Sequence, residues 1–352
     1  MRNIAILIPT LKKGGAEKQA VLLKVALEKR NYKVYFILFN SELGIENELL
    51  LLGDFKQSEL YLLKGSLIKK LIRLALFLRK SKVEILFSYL TATNLWGCLL
   101  GRLCGVDRIY PGIRNAYLEF PKRLSEQLSA LLSTKVIFNN YRGLNIFPKF
   151  IRKKAIVIPN CYINFHNVQK KDETHEFINI ITVARFTPQK DYLTALKSIK
   201  IIIEKGHPVY YTIIGYGDEE AAIRQWIDEL DLNNYVKVII NPQNIFKYLC
   251  ESDIYLSTSL YEGTSNSIME ALDAELPIVA TNVGDNDKLV KEGINGYLND
   301  IQDFKGIADN IERLIIAENS IGSFGKNSKQ LLRDNYSFEI YANSYYKLLD
   351  EK

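Results

Sequence analysis

The chain of 352 residues is long enough for two domains, and 47% hydrophobic and 24% charged residues are typical of a soluble globular protein. No apolar run approaches the 18 residues of a membrane span, and the opening MRNIAILIP predicts a first strand rather than a signal peptide. Four cysteines without CxxC spacing predict reduced, buried thiols in a cytoplasmic protein.

The net charge of +6 is divided very unevenly along the chain. Residues 1–165 contain 27 Lys and Arg against 11 Asp and Glu, a net of +16, whereas the remainder contains 19 against 29, a net of −10. This asymmetry favours an anionic partner for the first half, such as an anionic membrane surface. Two domains whose surface charge differs for no functional reason would give the same pattern.

Strands and helices alternate along both halves of the chain. In the first half we predict strands at NIAILIP, KVYFILF, EILFSY, RIYPGIRN, KVIFNN and AIVIPN, with helices over 16–30, 46–52, 66–82, 91–105 and 117–133. A polar linker over 161–177 follows. The second half predicts strands at INIITVAR, VYYTIIGYG, VKVII, DIYLSTS, PIVATNV and GYLND, with helices between and after them. This alternation predicts α/β architecture with two doubly wound parallel sheets, a domain over 1–165 and another from residue 166.

The segment STSLYEGTSNSIMEALDAELPIVATNVG contains the clearest site signal. Ser265 is a predicted helix N-cap after a loop that holds Glu262 and Gly263. On this helix Glu270 shares a face with Asn266, opposite the apolar side chains. A strand end, a polar loop and a helix N-terminus together favour a bound anion.

Two cations follow an earlier strand of the second half. VARFTPQK places Arg185 and Lys190 in a loop at the strand end, where they could neutralise a diphosphate leaving group.

The predicted helix over 66–82 is basic and amphipathic. Lys69, Arg73 and Lys80 cluster on one face with Leu76 and Phe77 beside them, opposite a stripe of leucines. Such a face suits an anionic membrane, although an ordinary crossover helix with solvated cations also fits. We find no nucleic-acid recognition module, so no nucleic-acid partner is expected.

The chain resembles the family 4 retaining glycosyltransferases, glycosyl transferases group 1, of the GT-B fold. The matching segments are GGAEKQ, VIPN, VARFTPQKDYLTAL, IIGYGDEE and SDIYLSTSLYEGTSNSIMEALDAELPIVATNVG. The pattern of Glu262 and Glu270 with seven residues between them, followed by the LPIVATNVG strand, is specific in combination. The resemblance implies two Rossmann-like domains facing a central cleft: an acceptor domain over 1–165, a nucleotide-sugar domain over 166–335, and a C-terminal helix over 336–352 that returns to the first domain.

The resemblance also implies roles for individual residues. Arg185 and Lys190 would bind the donor diphosphate, Glu262 would face the sugar and Glu270 the ribose hydroxyls. The donor-binding set that it implies is Gly14, Gly15, Gly215, Gly263, Thr264, Ser265, Asn266 and Glu270. Helix termini and cations replace a metal in this family, so neither a metal nor a cofactor is expected, and UDP is the expected nucleotide.

Three positions depart from the family pattern. Glu275 and Asp285 stand where relatives usually have glycine, and the first domain lacks the histidine that often lies near the reacting sugar. We hypothesise that Arg114 and Asn115, in a strand-end loop of the first domain, occupy this acceptor or sugar side.

The function implied is retaining transfer from a nucleotide-diphosphate sugar to a glycan or lipid-linked acceptor in surface polysaccharide synthesis. Such a protein would be cytoplasmic and peripheral on the membrane. A nucleotide-sugar epimerase of similar architecture is the alternative, and a binding protein without catalysis is a third. Few histidines and the paired glutamates argue against the epimerase, and Glu262, Glu270, Arg185 and Lys190 together argue against loss of catalysis.

Overall fold

The computed structural model describes residues 2–11, 14–40, 60–114, 119–163, 177–317 and 320–351. The chain divides into two compact units. We call Met1–Cys161 together with Phe338–Lys352 unit 1, and Tyr162–Ser337 unit 2. The sequence had placed these boundaries at 165/166 and 335/336.

Unit 1 is built on a parallel sheet with helices on both faces. Its strands are β1 (Asn3–Ile8), β2 (Lys33–Leu38), β3 (Leu60–Leu62), β4 (Ile85–Tyr89), β5 (Arg108–Ile113), β6 (Val136–Phe138) and β7 (Ala155–Val157), in the order β3-β2-β1-β4-β5-β6-β7. The helices are α1 (Gly15–Lys29), α2 (Leu67–Lys80), α3 (Thr91–Leu103), α4 (Phe120–Leu132) and the single turn α5 (Lys149–Arg152). The strand order reverses between β1 and β4. Right-handed crossovers therefore place α1 on one face and α2, α3 and α4 side by side on the other.

Unit 2 repeats this plan. Its strands are β8 (Ile178–Val183), β9 (Val209–Gly215), β10 (Val236–Ile240), β11 (Ile254–Ser257), β12 (Ile278–Thr281) and β13 (Gly296–Asn299), in the order β10-β9-β8-β11-β12-β13. The helices are α6 (Tyr192–Glu204), α7 (Glu220–Glu229), α8 (Ile245–Cys250), α9 (Asn266–Asp273), α10 (Asn286–Leu289), α11 (Phe304–Ile316) and α12 (Ser320–Tyr336). Apolar side chains pack against both faces of this sheet. Here the order reverses between β8 and β11.

The last helix, α13 (Phe338–Asp350), belongs to unit 1. The Tyr341 hydroxyl donates to the carbonyl oxygen of Gln19 at 2.9 Å, and the Tyr346 hydroxyl donates to that of Ala26 at 2.6 Å. The ring of Tyr345 packs against Phe87 with its centroid 5.7 Å away. These contacts fix α13 to α1 and to β4.

The prediction of two doubly wound parallel-sheet domains is confirmed. The central strands were predictable from the sequence because strands that are buried on both faces of a sheet consist of continuous apolar residues, as β1 does. The three-residue edge strand β3 was not predicted, and the predicted helix over 46–52 lies outside the described residues. Most of the predicted linker, residues 164–176, also lies outside them.

Two finer predictions need correction. Cys98, Cys161 and Cys250 are buried free thiols, but Cys104 is only half-buried. On α2 the Phe77 ring is not beside the cations at the surface, because it packs against Tyr61 and Tyr35 with centroids 4.4 and 5.3 Å away. None of the described helices is long and apolar enough to cross a membrane.

Candidate active site

The predicted site residues of unit 2 follow the two strands between which the sheet order reverses. Arg185 and Lys190 come after β8, and Glu262 comes after its neighbour β11. Connections from such neighbouring strands leave toward opposite faces of the sheet, which opens a crevice at their carboxyl ends. The carboxyl end of the β8–β11 pair is therefore where a ligand of unit 2 is expected.

Lys190 and Glu262 form an ion pair at this point, between Nζ and Oε1. Their side chains are only 13% and 11% exposed, so the pair is largely shielded from water. The Ser259 hydroxyl donates to the same Oε1 at 2.9 Å. One carboxylate oxygen thus receives two donors, which fixes the orientation of Glu262 before any ligand binds.

Hydrogen bonds between the loops after β8 and β11 keep this pair together. The Thr258 hydroxyl lies 2.9 Å from the carbonyl oxygens of Lys190 and Asp191, to which it can donate. The Leu260 amide donates to the carbonyl oxygen of Gln189 at 2.8 Å. Sequence reasoning missed Thr258 and Ser259. Their only signal is a pair of hydroxyl residues at the end of an apolar strand.

Arg185 extends from the same loop with an exposed side chain. Among the described residues its guanidinium has no ion-pair partner, in contrast to the paired Lys190. The loop is held by close packing against the end of β9. A Cβ on Gly215 would overlap the carbonyl oxygen of Ala184 and the ring of Phe186. Gly215 therefore permits the close approach of two loops, and its predicted contact with the donor stays a prediction.

Helix α9 begins as predicted. The Ser265 hydroxyl accepts from the Ile268 amide at 3.4 Å and caps the helix. Ile268 and Leu272 are fully buried, while Asn266 and Glu270 are half-buried on the other face. Burial, together with the carboxylates of Glu270 and Asp273, raises the pKa of Tyr162.

Gly284 and Asp285 bring the loop after β12 onto the loop that carries Glu262. Gly284 has φ of +54°, and a Cβ there would overlap the carbonyl oxygens of Gly263 and Glu262. The Asp285 amide donates to the Gly263 carbonyl at 3.1 Å, and the residue is buried. The departure at Asp285 thus lies in direct contact with the candidate site.

In unit 1, Gly14 and Gly15 follow β1 at the reversal point of that sheet. Gly14 is the N-cap residue of α1 in extended conformation, with φ of −163°, and Gly15 begins the helix. Both lie where a parallel sheet binds ligands, and their contact with a donor stays a prediction.

Arg114 is enclosed within unit 1. Its Nη1 donates to Asn160 Oδ1 at 2.7 Å, and its guanidinium lies 4.5 Å from the centroid of the Tyr89 ring. Burial lowers the pKa of Arg114, but the neighbouring tyrosines, among them Tyr345 and Tyr341 of α13, raise it by more, so the net direction is upward. These contacts give Arg114 a packing role that the sequence did not suggest. Its predicted role toward the sugar stays a hypothesis, and Asn115 lies outside the described residues.

Among the described residues no group of three or more His, Cys, Asp and Glu side chains could hold a metal ion.

Comparison with known proteins shows which protein family unit 2 resembles. Residues 164–331 match the model for glycosyl transferases group 1. Unit 2 is a glycosyl transferases group 1 domain. An amylovoran biosynthesis glycosyltransferase, AmsK, of Erwinia amylovora is 34% identical to the chain over 156 residues, which cover 42% of the chain and 38% of that protein.

The likeness extends beyond the glycosyl transferases group 1 domain. A Campylobacter jejuni GalNAc-alpha-(1->4)-GalNAc-alpha-(1->3)-diNAcBac-PP-undecaprenol alpha-1,4-N-acetyl-D-galactosaminyltransferase is 25% identical over 97% of the chain and 95% of its own length. The crystal structure of Anabaena HepE in complex with UDP and glucose superimposes with a TM-score of 0.82 at 16% identity, covering 100% of both chains. This likeness identifies the GT-B fold. The chain spans less than half the length of several other curated relatives that it matches.

Proposed function

We propose that this protein is a retaining glycosyltransferase that moves a sugar from a nucleotide-diphosphate sugar, with UDP as the nucleotide, to a glycan or lipid-linked acceptor. The observation that carries the proposal is the ion pair of Lys190 and Glu262 at the β8–β11 reversal point of a glycosyl transferases group 1 domain.

The pair suggests how the donor diphosphate is received. Arg185 is exposed beside it and would meet the phosphates first. Lys190 would then either leave the Glu262 carboxylate for a phosphate oxygen or bind both. Meanwhile the hydrogen bond from Ser259 would keep Glu262 oriented toward the sugar. The amides in the first turn of α9, together with the helix dipole, would add to the binding of negative charge. On this proposal Glu270 accepts hydrogen bonds from the ribose hydroxyls, and transfer needs no metal.

The chemistry follows from where charge develops. As the bond between the sugar and the diphosphate breaks, positive charge grows on the anomeric carbon and negative charge on the phosphate. The Glu262 carboxylate would stabilise the first, and Arg185, Lys190 and α9 the second. An acceptor hydroxyl that attacks from the leaving-group side can give its proton to the departing phosphate, which retains the anomeric configuration.

The names of the relatives support the choice of acceptor. They include a capsular polysaccharide biosynthesis glycosyltransferase, and the Campylobacter jejuni enzyme named above carries an undecaprenol-linked glycan in its name. We therefore propose a glycan or lipid-linked glycan acceptor in surface polysaccharide synthesis, reached at an anionic membrane surface.

The test begins with a panel of UDP-sugars in a thermal-shift assay, since a ligand at 100 times its Kd stabilises by about 2.7 kcal/mol. The sugar that binds is then incubated with EDTA, with and without undecaprenyl-diphosphate-linked acceptors, and the product linkage is determined by NMR. We expect UDP release that depends on the acceptor, and a product with the anomeric configuration of the donor. A changed sugar formed from the donor alone would support the epimerase instead, and an inverted product would overturn the retaining mechanism.

A further inference from the structure

The outer surface of the helix layer α2–α3–α4 of unit 1 carries three rows of apolar side chains, most of them exposed. Each row follows a spacing of four residues along one helix. The rows are Ile68, Ile72 and Leu76 on α2; Leu95, Leu99 and Leu103 on α3; and Phe120, Leu124 and Leu128 on α4. The members on α2 and α4 are between 45% and 71% exposed, and Leu103 on α3 is 64% exposed, whereas Leu95 and Leu99 are half-buried. We call these nine side chains the apolar face.

The apolar face is not a by-product of loose packing. At 100° per residue, the α2 row points away from Leu74 and Leu78, which are buried against the sheet. The α4 row likewise points away from the buried Ser129 and Ala130. These helices therefore have a second apolar side in addition to the one that the core uses. Adjacent exposed rows of this kind mark an interaction site.

The charges around the apolar face are mostly positive. The three helices carry these exposed cations: Lys69, Arg73, Arg79, Lys80, Arg102 and Lys122. Their only carboxylate is Glu126, which is 2% exposed and accepts hydrogen bonds from the Asn94 amide at 2.9 and 3.2 Å. Glu119, the residue before α4, is 68% exposed and pairs with Lys122 at 3.0 Å. The helix layer thus offers apolar side chains and an excess of positive charge to a partner.

We propose that the apolar face docks unit 1 onto an anionic lipid surface. The aliphatic side chains would enter the boundary between headgroups and acyl chains, while the lysines and arginines lie among the anionic headgroups. A second copy of the chain would bring like charges together, and a nucleic acid would leave the apolar rows against phosphates. This inference deepens the proposed function, because a lipid-linked acceptor lies in such a surface, but the docking does not require the transfer reaction.

The test is co-flotation of the full chain with two kinds of vesicle, phosphatidylcholine alone and phosphatidylcholine with 30% phosphatidylglycerol. We expect binding to the anionic vesicles only, and weaker binding in 0.5 M salt. Lys69→Gln with Lys80→Gln should lower the partition coefficient about 25-fold, since about 1 kcal/mol for each cation corresponds to roughly fivefold.

Two further variants separate the apolar contribution from general damage. Ile72→Gln with Leu128→Gln should reduce binding to anionic vesicles at least tenfold. The matched control, Ile316→Gln with Lys237→Gln, changes an exposed isoleucine and an exposed lysine of unit 2 and should bind like the wild type. All variants should keep the wild-type thermal shift with UDP, because the candidate donor site lies in unit 2. A wild-type chain without a UDP shift would contradict the proposed function and leave the docking result intact.

Two kinds of result would overturn the proposal. One is binding that does not depend on the apolar face or on lipid charge, seen as wild-type flotation by both the charge and the apolar variants or as equal binding to neutral and anionic vesicles. The other is a concentration-dependent dimer, detected by light scattering without lipid, that Ile72→Gln with Leu128→Gln dissociates. That result would identify a second copy of the chain as the partner of the apolar face.

Discussion

At the scale of single residues, the contact between Lys190 and Glu262 changes what each residue is expected to do. The sequence predicted separate roles, the lysine for the diphosphate and the glutamate for the sugar. In the structure the two neutralise each other in a largely shielded position, and Ser259 supports the glutamate. A donor that binds there must compete for the lysine, so the pair couples recognition of the phosphate to placement of the carboxylate.

This coupling gives the first prediction. Glu262→Gln removes the negative charge but keeps the shape, so Lys190 becomes available to phosphate. We expect UDP to bind as tightly as to the wild type or more tightly, while transfer falls by about 10²- to 10³-fold, as when one charge-stabilising group is lost. Lys190→Ala should instead weaken UDP binding. Calorimetric titration and turnover measure both effects. The control is Glu220→Gln, because Glu220 pairs with Arg224 on α7 and not with Lys190. Weaker UDP binding by Glu262→Gln would contradict the coupling.

A second prediction concerns pH. Burial raises the pKa of Glu126 from 4.5 to about 7. The folded state then holds a proton between these values that the unfolded state has lost, so stability falls as pH rises from 4.5 to 7. The difference amounts to about 3 kcal/mol above pH 7. Glu126→Gln should flatten this dependence and raise the Tm of unit 1 at pH 8 more than at pH 5. Scanning calorimetry at both pH values tests this, and an equal effect at the two would rule it out.

At the scale of elements, the loop after β12 controls the position of the loop that carries Glu262. A side chain on Gly284 would meet two backbone carbonyls, which cannot move aside as a flexible side chain can. The buried Asp285 takes part in the same contact. Changes in these two residues should therefore act on Glu262 without touching a substrate.

The third prediction compares two glycines that share a left-handed conformation. Gly284 has φ of +54° and Gly293 has φ of +70°, but a Cβ on Gly293 would meet no atom within 4 Å. Gly293→Ala should cost only the conformational strain, about 1 kcal/mol, and leave turnover unchanged. Gly284→Ala should cost more and lower turnover at least tenfold, because the Glu262 loop must shift. Equal turnover by the two variants would show that this loop contact is unimportant.

The elements also show what sequence patterns can predict. Ser265 as the N-cap and the two faces of α9 follow from local chemistry and helical period, and both were predicted correctly. The sequence pattern predicted the second apolar side of α2 only in part. The stripe of leucines opposite the cations includes Leu67, which is exposed, and Phe77, expected beside the cations, packs with two tyrosines. A helical period reveals apolar rows but not which row faces the sheet.

At the scale of the whole molecule, pairings between distant residues were out of reach of the sequence. Lys190 and Glu262 are 72 positions apart. They meet because β8 and β11 are neighbours, and strand order is not encoded in any local pattern. The same holds for Arg114, whose partners come from β4, from the end of the first segment and from α13.

The fourth prediction belongs to this scale. Deleting residues 338–352 removes α13, whose Tyr341, Tyr345 and Leu348 are buried in unit 1. Each such side chain contributes about 1.5 to 3 kcal/mol, and together they approach the stability of a typical domain. We expect the calorimetric transition of unit 1 to disappear, while that of unit 2 and its response to UDP persist. Loss of the unit 2 transition instead would contradict the prediction, because it would mean that α13 stabilises unit 2 and not unit 1.

The return of α13 also sets an order of events during synthesis. Unit 1 is begun first, but its last helix leaves the ribosome only after every residue of unit 2. The face of α1 that Tyr341 and Tyr346 later cover therefore remains uncovered by α13 during that interval. Unit 2, a continuous segment, can complete its core earlier. The unit translated first is therefore the one finished last, and a nascent chain stalled before residue 338 would already hold the candidate donor site on an incomplete partner.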